Sequence, residues 1–178
     1  MRSLVLDVRR NPGGLLNAAV EVADKFLPSG VIVSTRGRST REDYDYQAHS
    51  AGTWRVPLVV LIDADSASAS EIFAGAIRDH GRGTVVGQRS YGKGSVQGIF
   101  PLNRYKSGIR LTTSKFYSPS GQPISERGIT PHIEVQPERR VTARVTDAGE
   151  LISAADPALQ AALDVARRTT VNQVGRAQ

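Results

Sequence analysis

Seven consecutive residues without a polar side chain, Val56-Pro57-Leu58-Val59-Val60-Leu61-Ile62, constrain the fold of this chain most. An alternating pattern would mark a strand with one wet face, whereas an unbroken aliphatic run marks a strand buried on both. The residues after it change period. Past a short turn at Asp63-Ala64-Asp65, the apolar residues Ile72, Phe73, Ala76 and Ile77 recur at helical spacing, so a buried strand feeds a helix. The same alternation extends along the chain. Leu4 to Val8 reads as a strand, and Leu15 to Leu27 as a helix through Leu15, Ala19, Val22 and Phe26. Val31 to Thr35, Thr84 to Val86, Val96 to Pro101 and Ile109 to Tyr117 read as strands, with a turn at Ser118-Pro119-Ser120-Gly121. Asp156-Pro157 opens a final helix over about 156–168, with Leu159, Leu163 and Ala166 on one face, and residues 170–178 are expected to fray. The polar segment 37–54, with Tyr44 and Tyr46 alternating, fits a surface hairpin better than a flap over a cleft. The fold class is α/β, in a single domain over 1–178.

The strand-to-helix junction holds the first candidate chemistry, in the cluster Ser66-Ala67-Ser68-Ala69-Ser70-Glu71. Ser68 lies at the helix start, where free backbone N–H groups can hold a developing oxyanion. Twenty-five positions further on, Lys93 sits in Gly92-Lys93-Gly94-Ser95-Val96-Gln97. A serine hydroxyl is a poor nucleophile until a base removes its proton, and a lysine is such a base only when neutral. Desolvation favours the neutral form, so a Ser/Lys pair calls for an apolar, partly closed site. Flanking glycines suit the sharp turn and close backbone approach this demands.

Each residue has a plainer reading. Ser68-x-x-Glu71 is also a capping box, and taken alone the spacing favours a cap, because most helices need one and few serines are catalytic. Gly87 to Gly94 matches the phosphate-loop pattern G-x-x-x-x-G-K-[ST] except at its last position, where Gly94 lacks the hydroxyl that would ligate Mg²⁺. A phosphate loop should also open a helix, and the residues after Lys93 read as a strand. A nucleotide site ranks below the serine reading on both counts.

Charge and composition exclude several classes. The net charge is +6, yet the arginines are scattered apart from Arg139-Arg140 to Arg144, and few aromatics are present to stack bases, so no nucleic-acid partner is expected. The chain has no cysteine, which rules out disulfides and thiol chemistry. His49, His80 and His132 have no metal-ligand spacing, so neither a metal nor any other cofactor is expected. No apolar run is long enough to cross a bilayer.

Four blocks carry a family resemblance: Leu6-Asp7-Val8-Arg9-Arg10-Asn11-Pro12-Gly13-Gly14-Leu15-Leu16, Asp65 to Ile72, Val86 to Gln97, and Thr112-Thr113-Ser114-Lys115-Phe116-Tyr117-Ser118-Pro119-Ser120-Gly121. Over residues 4 to about 135 the chain resembles the catalytic domain of the C-terminal processing (tail-specific) serine peptidases, of the crotonase-like and Clp-like group. A weaker match, Asp156 to Leu163, extends this to the last helix. The resemblance implies that Ser68 is the nucleophile, Lys93 the general base and Gln97 the residue that holds the lysine. It implies an oxyanion hole from the N–H groups of Ala69 and Gly14. Without it, Gly13-Gly14 would read as an ordinary turn before a helix. The family often has Asn and Gly where this chain has Asp63 and Asp65, and Asp where it has His132. These departures bear on substrate preference rather than on the dyad.

The resemblance implies polypeptide substrates cut near nonpolar C-termini and an extracytoplasmic home. Relatives of this type carry a targeting segment and a PDZ domain before the first block, whereas Met1-Arg2-Ser3 leads directly into it here. The expectation is a peptidase core whose apolar surface invites homo-oligomerisation. A catalytically silent peptide-binding or assembly module is the alternative.

Overall fold

The computed structural model describes residues 1–102, 107–136 and 156–174. Its central strand, Leu58–Ile62 (β4), is buried at every position, as the apolar run predicts. Leu4–Asp7 (β1) pairs with one edge of β4 and Thr84–Gly87 (β5) with the other, and Ile133–Glu134 (β8) follows β5. All three pairings are parallel. Helices Leu16–Asp24 (α1) and Ala69–Asp79 (α2) cover one face, and Pro157–Val174 (α3) covers the other. The side chains of β4 divide accordingly. Leu58, Val60 and Ile62 join the core with α1 and α2, while Val59 and Leu61 pack with Ala162 and Ala166 of α3. Each such side chain contributes roughly 1.5–3 kcal/mol when fully buried, so a polar residue here would destabilise either layer.

A second, antiparallel sheet stands against this one. It comprises Val31–Gly37 (β2), Tyr44–Gln47 (β3), Ser95–Leu102 (β6) and Ser107–Tyr117 (β7), in the order β3-β2-β7-β6. β3 folds back on β2, so the segment 37–54 contains the surface hairpin read from its pattern, and the Tyr44 and Tyr46 rings meet edge to face at 4.6 Å. β6 and β7 form a long ribbon with Phe100, Leu102, Ile109 and Leu111 exposed, while Phe116 at its base enters the core.

Some boundaries move. α1 is regular only from Leu16 to Asp24, because Lys25 and Phe26 tighten to bonds three residues back, at 3.2 and 2.9 Å. α3 continues through Val174, beyond the 168 expected and into the stretch expected to fray; 175–178 and the basic segment 139–144 lie outside the described residues. β8 has no counterpart among the predicted strands, since two residues carry no periodicity. The three histidines stand apart. His49 contacts Asp24, His80 contacts the Val31 carbonyl at 2.7 Å, and His132 Nδ1 accepts from the Val85 N–H at 3.0 Å.

Candidate active site

The turn after β4 is shaped by a carboxylate. Asp63 Oδ1 accepts the N–H groups of Asp65 at 3.1 Å, Ser66 at 3.0 Å and Arg10 at 3.0 Å, so it joins this turn to the one after β1. Ser66 Oγ donates to the Val8 carbonyl at 2.8 Å. The chain then enters α2 through Ser68, whose φ of 55° and ψ of −114° lie outside the regions favoured by L residues. Its carbonyl accepts two N–H groups of the first helical turn, from Glu71 at 2.9 Å and Ile72 at 3.0 Å.

The Asn-Pro-Gly-Gly turn after β1 packs directly against this strained residue. Gly13 has φ +107°, and a Cβ there would lie 2.8 Å from Ser68 Cβ and 2.9 Å from the Ala69 nitrogen. Only glycine fits both demands. Asn11 holds the turn: its Oδ1 accepts Gly13 N–H at 2.9 Å, and its carbonyl accepts Ala67 N–H and Ser70 Oγ–H, each at 3.0 Å. Gly14 faces open space, and among the described residues no hydrogen bond engages its N–H or that of Ala69.

Lys93 arrives from the other side, between β5 and β6. Gly92 (φ +93°) lies against the Glu126 backbone and Gly94 against Ser125, so the loop threads past a second segment that side chains would block. A cavity of about 190 Å³ brings the five sequence-predicted residues together: Gly14, Ser68, Ala69, Lys93 and Gln97 all line it, with Phe116. One expectation is corrected. Lys93 is exposed rather than enclosed, and Gln97 is exposed beside it, because β6 is the outermost strand of its sheet and a bulge at Val96/Gln97 interrupts its pairing with β7. A second cavity, about 240 Å³, opens beside the first and shares Gly14 and Ala69, with Leu6, Val8, Leu15 and Phe73 among its apolar walls.

The structure adds a residue that the sequence offered only as a helix cap. Glu71 has no solvent exposure, and its carboxylate accepts four hydrogen bonds. Oε2 accepts the N–H groups of Ser68 and Lys93, both at 2.8 Å, while Oε1 accepts Ser90 Oγ–H and Gly92 N–H, both at 2.6 Å. One oxygen therefore ties the backbone of the candidate nucleophile to that of the candidate base. Ser90 extends the brace, since its hydroxyl oxygen accepts Ile129 N–H at 2.6 Å. The capping box was the available signal, but it pointed only to the Ser68 half.

An ion network fixes the first turn to the opposite face. Arg9 pairs with Asp7 at 2.7 Å and Asp156 at 2.9 Å. Asp156 also accepts Leu159 N–H at 3.0 Å, the helix-opening role read from Asp156-Pro157. Bonds to both carboxylates hold Arg9 charged, and bonding to Arg9 lowers the Asp156 carboxyl below its ordinary value. For Asp7, burial pushes upward, but its bonds to Arg9 outweigh this and lower it too.

A parallel sheet covered by helices on both faces, with a second sheet beside it and a strained strand-to-helix turn over a cavity, defines a Clp/crotonase-like α/β architecture. Residues 1–135 match the model of peptidase family S41, and the chain belongs to that family. It is 50% identical over 137 residues to the carboxy-terminal-processing protease of Bartonella bacilliformis, covering 76% of this chain and 31% of that protein. It is 38% identical over 161 residues to the carboxyl-terminal-processing protease of Synechocystis sp., covering 90% of this chain and 36% of that protein. Among solved structures, the photosystem II D1 C-terminal processing protease superposes with a TM-score of 0.70 at 36% identity, over 78% of this chain and 36% of its own. The chain thus spans about a third of the length of these relatives.

Proposed function

We propose that this domain is a serine endopeptidase core that hydrolyses peptide bonds through a Ser68/Lys93 dyad. The observation that carries the proposal is the convergence of Ser68, Lys93, Gln97 and the unengaged N–H groups of Gly14 and Ala69 on one cavity. Ser68 Oγ attacks the peptide carbonyl carbon while Lys93 Nζ takes the hydroxyl proton, and the N–H groups of Gly14 and Ala69 hold the oxyanion. Collapse breaks the C–N bond, with Lys93 returning the proton to the leaving amine. Water, deprotonated in turn by Lys93, then releases the acyl group from Ser68. Gln97, four residues on in β6 and lining the same cavity, takes the role of holding the Lys93 side chain.

Substrate has a second task here, because Lys93 is exposed. A polypeptide laid along the open edge of β6 would exclude water from the lysine, so that binding helps create the base. The apolar cavity beside Gly14 and Ala69 lies where the side chain next to the scissile carbonyl would fall, which supports cleavage beside nonpolar residues, while a preference for C-termini rests on the family alone. An extracytoplasmic home belongs to the same proposal. The test is digestion of an unfolded protein with a nonpolar C-terminus, read by mass spectrometry. Products are expected from the wild type, and none above background from Ser68→Ala or Lys93→Ala, because the pair acts as a unit. Wild-type turnover in either variant would refute the dyad. Peptide binding without product in the wild type would identify a silent binding module instead.

A further inference from the structure

A separate cavity of about 310 Å³ opens among Arg78, Arg89, Gln122, Arg127, Gly128 and Thr130, none of which lines the cavity holding Ser68. Three guanidiniums around one space repel each other unless negative charge lies among them. The protein supplies that charge to one. Arg78 pairs with Asp79 at 3.1 Å, and the second Asp79 oxygen accepts Ser120 N–H at 3.1 Å. Burial pushes the Asp79 carboxyl upward, but bonds from Ser118 and Ser120, with the charge of Arg78, outweigh this and keep it ionised. Arg89 and Arg127 pair with no acidic side chain among the described residues. Each spends one donor on a neutral acceptor: Arg89 Nη2 on the Glu126 carbonyl at 3.0 Å, and Arg127 Nη1 on Gln122 Oε1 at 2.8 Å. A guanidinium has five donors in a planar fork, so these bonds orient both forks and leave donors for a ligand.

We propose that this cavity binds a phosphate-type oxyanion, either inorganic phosphate or a phosphate monoester. Two uncompensated arginines match the charge of a phosphate monoester near neutral pH, roughly −1.5 to −2. Its three or four oxygens can accept from both forks at once, whereas a carboxylate has one charge and two oxygens. The volume, about 310 Å³, holds such a group and part of whatever it is attached to. The site also touches the segments that brace the candidate dyad. Arg89 precedes Ser90, which binds Glu71, and Arg127 precedes Gly128, which lies against the Ser90 carbonyl. These segments already exchange bonds from Ser90 N–H to the Ile129 carbonyl at 3.1 Å and from Glu126 N–H to the Gly92 carbonyl at 2.9 Å. An anion bridging Arg89 and Arg127 adds a further tie between them.

The test is calorimetric titration of the full chain with inorganic phosphate, phosphoserine amide and acetate, at neutral pH and constant ionic strength set with sodium chloride. Saturable binding of phosphate, phosphoserine amide or both is expected, weakened at least tenfold by Arg89→Gln and by Arg127→Gln. Both side chains are exposed, so the variants should fold, and unchanged thermal melts without phosphate check this. Arg168→Gln removes the same charge from the exposed side of α3 and should bind like wild type. Binding of phosphate alone points to the free anion, and binding of the ester as well to a phosphorylated ligand. No saturable binding at millimolar phosphate, equal binding of acetate, or equal weakening by Arg168→Gln would each overturn the proposal.

Discussion

Replacing Glu71 with glutamine separates a buried brace from a simple helix cap. The side chains are nearly the same size, so no cavity opens, and one acceptor becomes a donor. If the amide nitrogen takes the Oε2 position, it faces the N–H groups of Ser68 and Lys93, neither of which can turn away. If it takes the Oε1 position, it faces Gly92 N–H and the Ser90 hydroxyl, and the hydroxyl can rotate to accept. The second arrangement wins, leaving one backbone N–H without a partner and reducing the other charge-assisted bonds to neutral ones. An unsatisfied buried donor costs about 1–3 kcal/mol, and each weakened bond about 1 kcal/mol more. Relief of the desolvation penalty of a buried carboxylate offsets part of this, leaving a net loss of about 2–4 kcal/mol. Against a typical domain stability of about 5–15 kcal/mol the variant still folds, so both stability and turnover can be measured. Urea unfolding followed by far-UV circular dichroism should show the lower midpoint. Turnover of a peptide substrate should show a fall in kcat with little change in KM, because Glu71 touches the backbones of Ser68 and Lys93 but lines no part of the cavity. A plain cap predicts a loss of only about 1 kcal/mol and unchanged kcat. Coincident unfolding curves together with full kcat would refute the brace.

Gly13→Ala combines a left-handed backbone with a Cβ 2.8 Å from Ser68 Cβ, so kcat and melting temperature should both fall; Gly14→Ala, with open space at its Cβ, should melt like wild type. Arg9→Met should cost about 1 kcal/mol, since all three side chains of the network are partly exposed, and should speed hydrogen exchange at the start of α3. Both aspartates have lowered folded-state values, so their contribution is present above the ordinary aspartate range and lost as pH falls through the folded-state values; the wild-type advantage over Arg9→Met should vanish there. His132 is lowered by burial and by Arg78, and its Nδ1 must stay unprotonated to accept Val85 N–H. Its contribution is present above the ordinary histidine value and lost as pH falls through the folded-state value, so urea midpoints should drop through mildly acid pH. His132→Asn, which keeps an acceptor, should flatten that drop, and an identical pH profile in the variant would count against this account.

What could be read from the sequence is what short-range pattern encodes. The run at 56–62 announces a doubly buried strand because burial on two faces removes every polar residue, and the change of period after Ser68 places it at the start of α2. Ser68 and Lys93 stand out in their local frames, but their roles and the assignments of Gln97, Gly14 and Ala69 come through the family resemblance, since nothing local distinguishes Gly14 in an oxyanion turn from Gly14 in an ordinary one. The missing parts depend on distant contacts. Glu71 shows its acceptor role only when Gly92 and Lys93 are folded against it, 21 and 22 positions away. Arg9 and Asp156 meet across 147 positions. The exposure of Lys93 follows from the sheet order that leaves β6 outermost, and periodicity does not reveal which strand has no outer neighbour.

The strain at Ser68 and the position of Lys93 have one cause rather than two. A non-glycine residue in such a conformation costs about 1–3 kcal/mol and persists only where its surroundings over-determine it. Here the carbonyl is held by two helical N–H groups, the N–H by Glu71, and the Cβ side is closed by Gly13. Glu71 in turn keeps its position because Ser90, Gly92 and Lys93 supply donors from the β5–β6 loop. If that loop moved away, a buried carboxylate would lose three of its four partners, a far larger penalty than the relaxation of Ser68 could return. The loop carrying the candidate base is thus what makes the strained nucleophile turn stable, and the two halves of the site can be correctly shaped only together.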